Sequence, residues 1–268
     1  MIPAAFRYAR ASDVEHTLEL LAEPDAKLIA GGQSLIPVMK LRIARPSLVV
    51  DISRLGLRGM TIADDMLHIG PLTTWDEVLA AGALRRPALA AITECAYGIG
   101  DLQVRNRGTV GGSLAHADPA SDLPAVLIAL GATVRLRSPS GERVVPLADF
   151  VVGPFTTALG AQELITDIVV PLLAKGSGSA YVSVEHPASG FALAGAAALV
   201  GPDGGSQVAV TGVAAKPFLL DEGDPEDSLE TAEVFGDRFA PAEYRRELAA
   251  VLARRALELA AERARGES

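Results

Sequence analysis

The stretch DLQVRNRGTVGGSLAHADPASDLPAVLIALGA, residues 101–132, decides how the chain is read. It opens with two basic residues, Arg105 and Arg107, and passes through a turn, Thr109-Val110-Gly111-Gly112-Ser113. A polar loop ends at Ser121-Asp122, and the apolar residues 123–130 then predict a helix closed by Gly131. Adjacent glycines accept backbone angles that a Cβ forbids and let main chain approach a ligand closely. With the hydroxyls of Thr109 and Ser113 beside free N–H groups, such a turn suits a diphosphate. It is not a common phosphate fingerprint. No Gly-Lys-Ser/Thr follows, and Gly98-Ile99-Gly100 has Gln103 where Gly-x-Gly-x-x-Gly needs its last glycine.

Working outward, a second stretch upstream has the same grammar: KLIAGGQSLIPVMKLR, residues 27–42. The apolar Leu28-Ile29-Ala30 enters Gly31-Gly32, and Gln33-Ser34-Leu35 leaves it. Either turn alone reads as a tight connection between strands. Two such turns, 80 residues apart, could instead clasp one phosphate chain from two sides.

The pair AGGQSLIPVMKLR and RNRGTVGGSLAHADPASDLPAVLIALGA resembles the FAD-binding (medium) subunit of molybdenum hydroxylases, a family that includes the flavoproteins of bacterial carbon monoxide dehydrogenase and xanthine dehydrogenase. The resemblance extends to EYRRELAAVLARRALELA, which is similar to that family's last helix. It implies an α+β fold like that of vanillyl-alcohol-oxidase-like flavoproteins: an N-terminal α/β FAD-binding subdomain (1–55), a middle FAD-binding subdomain (56–174) and a C-terminal sheet-and-helix flavoprotein domain (178–268). It also implies an electron-transfer role. A molybdopterin large subunit hydroxylates the substrate and an iron–sulfur small subunit relays electrons. FAD in this chain then passes them to NAD+, a quinone or oxygen.

The resemblance further implies site residues. Residues 29–35 (Ile29, Ala30, Gly31, Gly32, Gln33, Ser34, Leu35) and residues 109–113 (Thr109, Val110, Gly111, Gly112, Ser113) are its cofactor loops. Gly31, Gly32, Gly111 and Gly112 would donate backbone N–H groups to the diphosphate. Asp122 is either a helix cap or a ligand to the cofactor chain. Ile99, Gly100 and Ile165 match segments lining the flavin in relatives, and each also suits plain packing. Phe191 stands where relatives often carry a tyrosine and equally suits a plain core residue, and neither Val182 nor Ser183 supplies the lysine many relatives have nearby. Those departures bear on tuning of the flavin ring and leave FAD binding intact. Two other classes remain: a stand-alone FAD oxidase or dehydrogenase, which would need a base near the flavin, and a scaffold that has lost FAD.

Composition narrows the field. The 268 residues are 49% hydrophobic and 21% charged, as in a globular chain, with a net charge of −9 that argues against a nucleic-acid surface. There is no apolar run long enough for a membrane span, and the first residues lack a signal peptide's pattern. The single cysteine, Cys95, excludes an internal disulfide, fits a reducing cytoplasm, and leaves no four-cysteine iron–sulfur site in this chain. His16, His68, His116 and His186 show no ligand spacing; His116 reads as a locally bonded loop residue.

Local patterns predict the elements. Capping boxes are expected at residues 12–15 and 74–77, strands at 27–30, 48–53 and 164–171, and a hairpin over Asp64-Asp65. A helix is expected at 87–96 with Cys95 on its buried face, and a hairpin over residues 138–141. Lys175-Gly-Ser-Gly-Ser179 reads as a flexible boundary. Beyond it come strands at 180–185, 191–200 and 207–215 with a turn at 202–205, then a solvated acidic loop at 221–227. A long amphipathic helix at 242–263 should bury Leu248, Leu252, Leu257 and Leu259.

Overall fold

The computed structural model describes residues 2–266. The N-terminal unit runs β1 (Arg7–Arg10), α1 (Val14–Leu20), β2 (Ala26–Ile29), α2 (Leu35–Lys40) and β3 (Leu48–Asp51). Its three strands are parallel in the order β1-β3-β2, so β3, the apolar Leu48-Val49-Val50, is the buried centre. Parallel strands covered on both faces read as continuous apolar runs rather than alternations. The cap of α1 is Asp13, whose carboxylate accepts the His16 N–H at 2.8 Å, and Ser12 donates to Asp13. The box expected from Ser12 to Glu15 therefore does not form. Asp13 is one residue nearer the helix and carries the stronger acceptor.

The middle unit comprises β4 (Met60–Ala63), β5 (Met66–Ile69), α3 (Trp75–Ala80), α4 (Ala90–Gly98), α5 (Leu102–Arg105), α6 (Val110–His116), α7 (Asp122–Ala129), β6 (Thr133–Ser138), β7 (Gly141–Pro146), α8 (Leu147–Phe150), β8 (Val151–Gly153), β9 (Thr156–Thr157) and β10 (Leu164–Pro171). Five strands form an antiparallel sheet, β4-β5-β10-β6-β7, and β8-β9 is a separate small hairpin. Asp64 and Asp65 both have left-handed φ (49° and 57°), the geometry of the two-residue hairpin turn. Thr74 and Glu77 close a full capping box on α3.

The C-terminal unit holds β11 (Gly178–Glu185), β12 (Ala192–Val200), β13 (Ser206–Thr211), β14 (Phe218–Leu219), α9 (Pro225–Thr231) and α10 (Ala242–Arg265). In its four-stranded antiparallel sheet the strand β12 is buried on both faces. Alternate residues of β12 go to opposite cores: Ala197 and Leu199 join the middle core on the side of α7, whereas Ala194, Ala196 and Ala198 face α10. The helix meets them with Ala249, Ala253, Ala256 and Ala260, all fully buried. Leu252 is buried too, but Leu248, Leu257 and Leu259 only border that core, so the buried stripe of α10 is mainly alanine.

Two further expectations change. Residues 177–179 are anchored rather than flexible: Ser177 and Ser179 are buried, and a Cβ on Gly178 would stand 2.2 Å from the Ala260 carbonyl oxygen. The acidic stretch at 221–227 contributes the first turn of α9, capped by Asp224. The N-terminal core also takes in Leu72 and Leu164 of the middle unit, and the middle core takes in Tyr181 and Ala209 of the C-terminal sheet.

Candidate functional site

The fold brings the two glycine stretches into backbone contact. A Cβ on Gly31 would lie 1.9 Å from the Arg107 carbonyl oxygen and 3.0 Å from the Gly108 Cα, so only glycine fits. Gly32 has a φ of +77°, which turns the chain from β2 into α2. Among the described residues, the N–H groups of Gly31, Gly32, Gln33, Ser34 and Leu35 donate to no protein acceptor. Gln33 is exposed, and Ser34 and Leu35 open α2, where the first N–H groups have no helical partner; with the half-buried Gly31 and Gly32 they form a row of donors open to an external acceptor.

The second stretch is built differently. Thr109 is the cap of α6, and its hydroxyl accepts the Gly112 N–H at 3.1 Å. Val110 N–H donates to the Thr73 carbonyl at 3.0 Å, Gly111 N–H to that of Pro71 at 2.8 Å, and Ser113 N–H to that of Thr109 at 3.0 Å. Expected as a cradle of free donors, Gly111 and Gly112 thus lie in the first turn of a helix with their N–H groups engaged. The glycine at 111 is needed for packing: a Cβ there would stand 2.4 Å from the Pro71 Cβ. The polar group presented by this stretch is Ser113 Oγ, 3.1 Å from Ser121 Oγ.

Asp122 opens α7 and is 8% exposed. Its carboxylate accepts the hydroxyl of Tyr181 from β11, and no backbone N–H caps onto it. It is therefore not the capping residue that its position suggests. Burial pushes its carboxyl up to about 6, opposed by the Tyr181 hydrogen bond and assisted by the Glu185 charge. Burial likewise raises the Tyr181 hydroxyl and the Cys95 thiol, with the Asp122 charge adding to both. Glycine at 195 makes room for the Tyr181 hydroxyl, which would come within 2.3 Å of a Cβ there. Nothing in the spacing of Asp122 and Tyr181 announces this link.

The remaining candidates scatter. Ile99 and Gly100 follow α4, with Gly100 left-handed at φ +56°. Arg105 donates to the carbonyls of Tyr97, Ile99 and Gly100, at 2.8 Å for the last, so it ties down this loop rather than offering a free cation to phosphate. Ile165 on β10 is 7% exposed in the middle core. Phe191 is 46% exposed at the start of β12, which rules out the plain core role.

A dinucleotide diphosphate needs donors around its oxygens and a close main-chain approach. The five free N–H groups at residues 31–35 and the Gly31 contact with residues 107–108 fit that need. Fold and site define a cofactor-binding protein of the α+β class. A family model described as the FAD binding domain in molybdopterin dehydrogenase matches residues 4–173. The chain is 44% identical over 203 residues to the 6-hydroxypseudooxynicotine dehydrogenase complex subunit alpha of Paenarthrobacter nicotinovorans, covering 75% of this chain and 68% of that protein. It is 34% identical to the carbon monoxide dehydrogenase medium chain of Afipia carboxidovorans, over 99% of this chain and 100% of the relative. The crystal structure of a Cu,Mo-CO dehydrogenase superposes with a TM-score of 0.91 at 34% identity, covering 98% of this chain and 100% of that one. The chain belongs to this family, the FAD-binding subunits of molybdenum hydroxylases.

Proposed function

We propose that this chain is the flavin-carrying subunit through which a molybdenum hydroxylase hands its electrons to an outside acceptor, with residues 29–35 and 109–113 as the two walls of the FAD site. The observation that carries the residue assignment is the row of unbonded N–H groups from Gly31 to Leu35, set against the backbone of residues 107–108. Bound FAD supplies a centre that takes up electrons singly and releases them in pairs. The chain's own part is to bind and orient it. Residues 31–35 hold the diphosphate, Gly111 lets the first turn of α6 close onto Pro71 with Gly112 in the same turn, and Ser113 contributes a hydroxyl. Asp122, held by Tyr181, borders the cofactor chain, while Ile99, Gly100, Ile165 and Phe191 line the flavin side.

In this reading the electrons come from a cysteine-rich iron–sulfur small subunit, and the chemistry on substrate belongs to a molybdopterin large subunit. Residues 1–55 and 56–174 form the two halves of the FAD site, and 178–268 form the flanking flavoprotein domain. The cytoplasm is the proposed compartment, in keeping with one buried cysteine; no described helix is long and apolar enough to cross a membrane. The test is direct. Heat-denatured protein should release one equivalent of flavin that chromatographs as FAD. The isolated chain should oxidise no aldehyde, purine or carbon monoxide until the other two subunits are added. Release of FMN, flavin retained in the precipitate, or robust turnover by the chain alone would each overturn the proposal.

A further inference from the structure

Tyr181 and Asp122 are the two ends of one polar link between the C-terminal sheet and the middle unit, 7% and 8% exposed. The Tyr181 hydroxyl donates to Asp122 Oδ1. Gly195 on the neighbouring strand β12 leaves the space that the hydroxyl occupies, since a Cβ there would collide with it. The backbone of Tyr181 is held as well. Its N–H donates to Glu94 Oε2 at 2.8 Å, while Arg263 of α10 donates to the other oxygen of Glu94 and, at 2.7 Å, to the Ser179 carbonyl. The tyrosine is thus fixed at both ends before any ligand arrives.

That restraint leaves one atom open. Among the described residues, Ser177 Oγ is the only polar side-chain atom both sealed from solvent and without a hydrogen bond. Asp122 Oδ2 takes no hydrogen bond from a described residue either, so it reaches an opening rather than the packed interior. A carboxylate this buried normally has both oxygens satisfied. On one side of Asp122, its neighbour Ser121 meets Ser113 of the second glycine stretch, Oγ to Oγ 3.1 Å. On the other, Glu185 of β11 lies against Gly98, where a Cβ would stand 3.1 Å from Glu185 Oε1. Asp122 therefore sits between the wall assigned to the diphosphate and the Ile99–Gly100 segment assigned to the flavin ring. A polyol joins those two parts of FAD, and a hydroxyl is what an open carboxylate oxygen accepts.

We propose that Tyr181 is a positioning residue of the cofactor site: by holding Oδ1 it aims Oδ2 of the Asp122 carboxylate at a hydroxyl of the cofactor's polyol chain. The inference rests on the FAD-subunit reading and adds the residue that orients its carboxylate. The link also bears on charge. Burial raises Asp122 to about 6 and the Glu185 charge adds to the rise, while the Tyr181 hydrogen bond works against both. Cys95 of α4 stays a neutral thiol, because burial raises it. Glu94 of α4 is paired with Arg263, His116 of α6 lies against Phe155, and Asp118 of the preceding loop accepts the Ala120 N–H. Tyr97 of α4 and Asp149 of α8 are exposed, and β12, β13 and β14 carry no titratable group. Without the tyrosine hydroxyl, the carboxyl should keep its proton to higher pH and release the polyol there.

The experiment titrates the flavin-free full chain with FAD between pH 5 and pH 8.5, reading flavin fluorescence, with melting temperature alongside. Wild-type affinity should fall as pH drops through about 6. Tyr181→Phe should bind FAD about tenfold more weakly near neutrality and move that fall upward by about one pH unit. Asp122→Asn should abolish the fall, and the double variant should bind no more weakly than Asp122→Asn alone. Gly195→Ala keeps the hydroxyl but fills its space, so it should reproduce the shift and spare the test from depending on one variant's folding. Tyr244→Phe, at an exposed tyrosine of α10, should change nothing. A tyrosine that served packing alone would weaken binding equally at every pH and additively with Asp122→Asn. Either result overturns the inference, as does unchanged FAD affinity in Tyr181→Phe. A chain that binds no FAD at any pH fails the subunit reading; one that binds FAD without regard to Tyr181 fails this inference alone.

Discussion

The two glycine stretches look alike on paper and do opposite things with their backbone. At residues 31–35 the N–H groups are left open; at residues 110–113 they are consumed by Thr73, Pro71 and Thr109. The first is a donor surface and the second is a thin wall. A Gly-Gly pair therefore marks close approach of main chain, and what approaches is decided by where the neighbouring N–H groups point. The carboxylates flanking the two stretches diverge as well. Asp51, in register with Ile29 on the neighbouring strand, is pushed up by burial but held down to about 2 by hydrogen bonds from Tyr8, Ser53 and Arg10. Asp122, beyond the second stretch, has only Tyr181 to oppose its burial and rises to about 6.

The contrast is broken most sharply by Gly31→Ala. The new Cβ collides with main chain that cannot swing aside, costing upwards of about 3 kcal/mol in overpacking. Flavin absorbance relative to protein should fall to a small fraction of wild type, and the melting temperature should drop; a variant that keeps its flavin would refute the contact. Next comes Asp122. Its pKa is higher folded than the ordinary 3.8, so the folded state keeps a proton the unfolded chain has lost between pH 4 and 6. Stability of the flavin-free protein should therefore fall as pH rises through that window, by roughly 2–3 kcal/mol, and Asp122→Asn should flatten the slope. Denaturant midpoints at pH 4.5 and 7.5 decide it.

Asp51 should behave in the opposite sense. Its lowered pKa contributes stability that is full above the ordinary 3.8 and is lost as pH falls towards 2. Asp51→Asn should remove about 2 kcal/mol near neutrality and blunt the acid transition. An unchanged acid limb in a urea series would contradict this. The smallest effect belongs to Gly112→Ala, whose Cβ meets only the Thr109 hydroxyl, at 2.7 Å. The Thr109 hydroxyl can turn aside only by giving up the α6 cap, a loss that alanine's helix preference partly offsets, so stability should fall by about 1 kcal/mol and flavin content should hold. If Gly112→Ala lost flavin as completely as Gly31→Ala, the two stretches would be equivalent after all.

Much of the fold was legible because its signals are local. The hairpin over Asp64-Asp65, the box at Thr74–Glu77, the strand at residues 164–171 and the turn at 202–205 each rest on turn or cap chemistry within a few residues. β1 escaped because Arg7-Tyr8-Ala9-Arg10 alternates weakly and is a strand only through pairing with β3, some 41 residues on. The helical start at Thr109 was hidden by its glycines, which are poor helix formers and read as a turn. Asp122 was picked out, but its partner was not, since 59 residues separate it from Tyr181. Arg245 was invisible for the same reason: a buried arginine bonded to four different places has no sequence pattern.

The open N–H row has a consequence in time as well as space. Amides without an acceptor need no unfolding event before they trade hydrogen with solvent. In the flavin-free chain, residues 31–35 should take up deuterium within the first seconds, while Val110 and Gly111, locked onto Thr73 and Pro71, wait for a larger opening. Filling the site should slow the first set and leave the second almost untouched. The cofactor would then be recorded as a selective brake on one short peptide, readable by mass spectrometry without any redox partner.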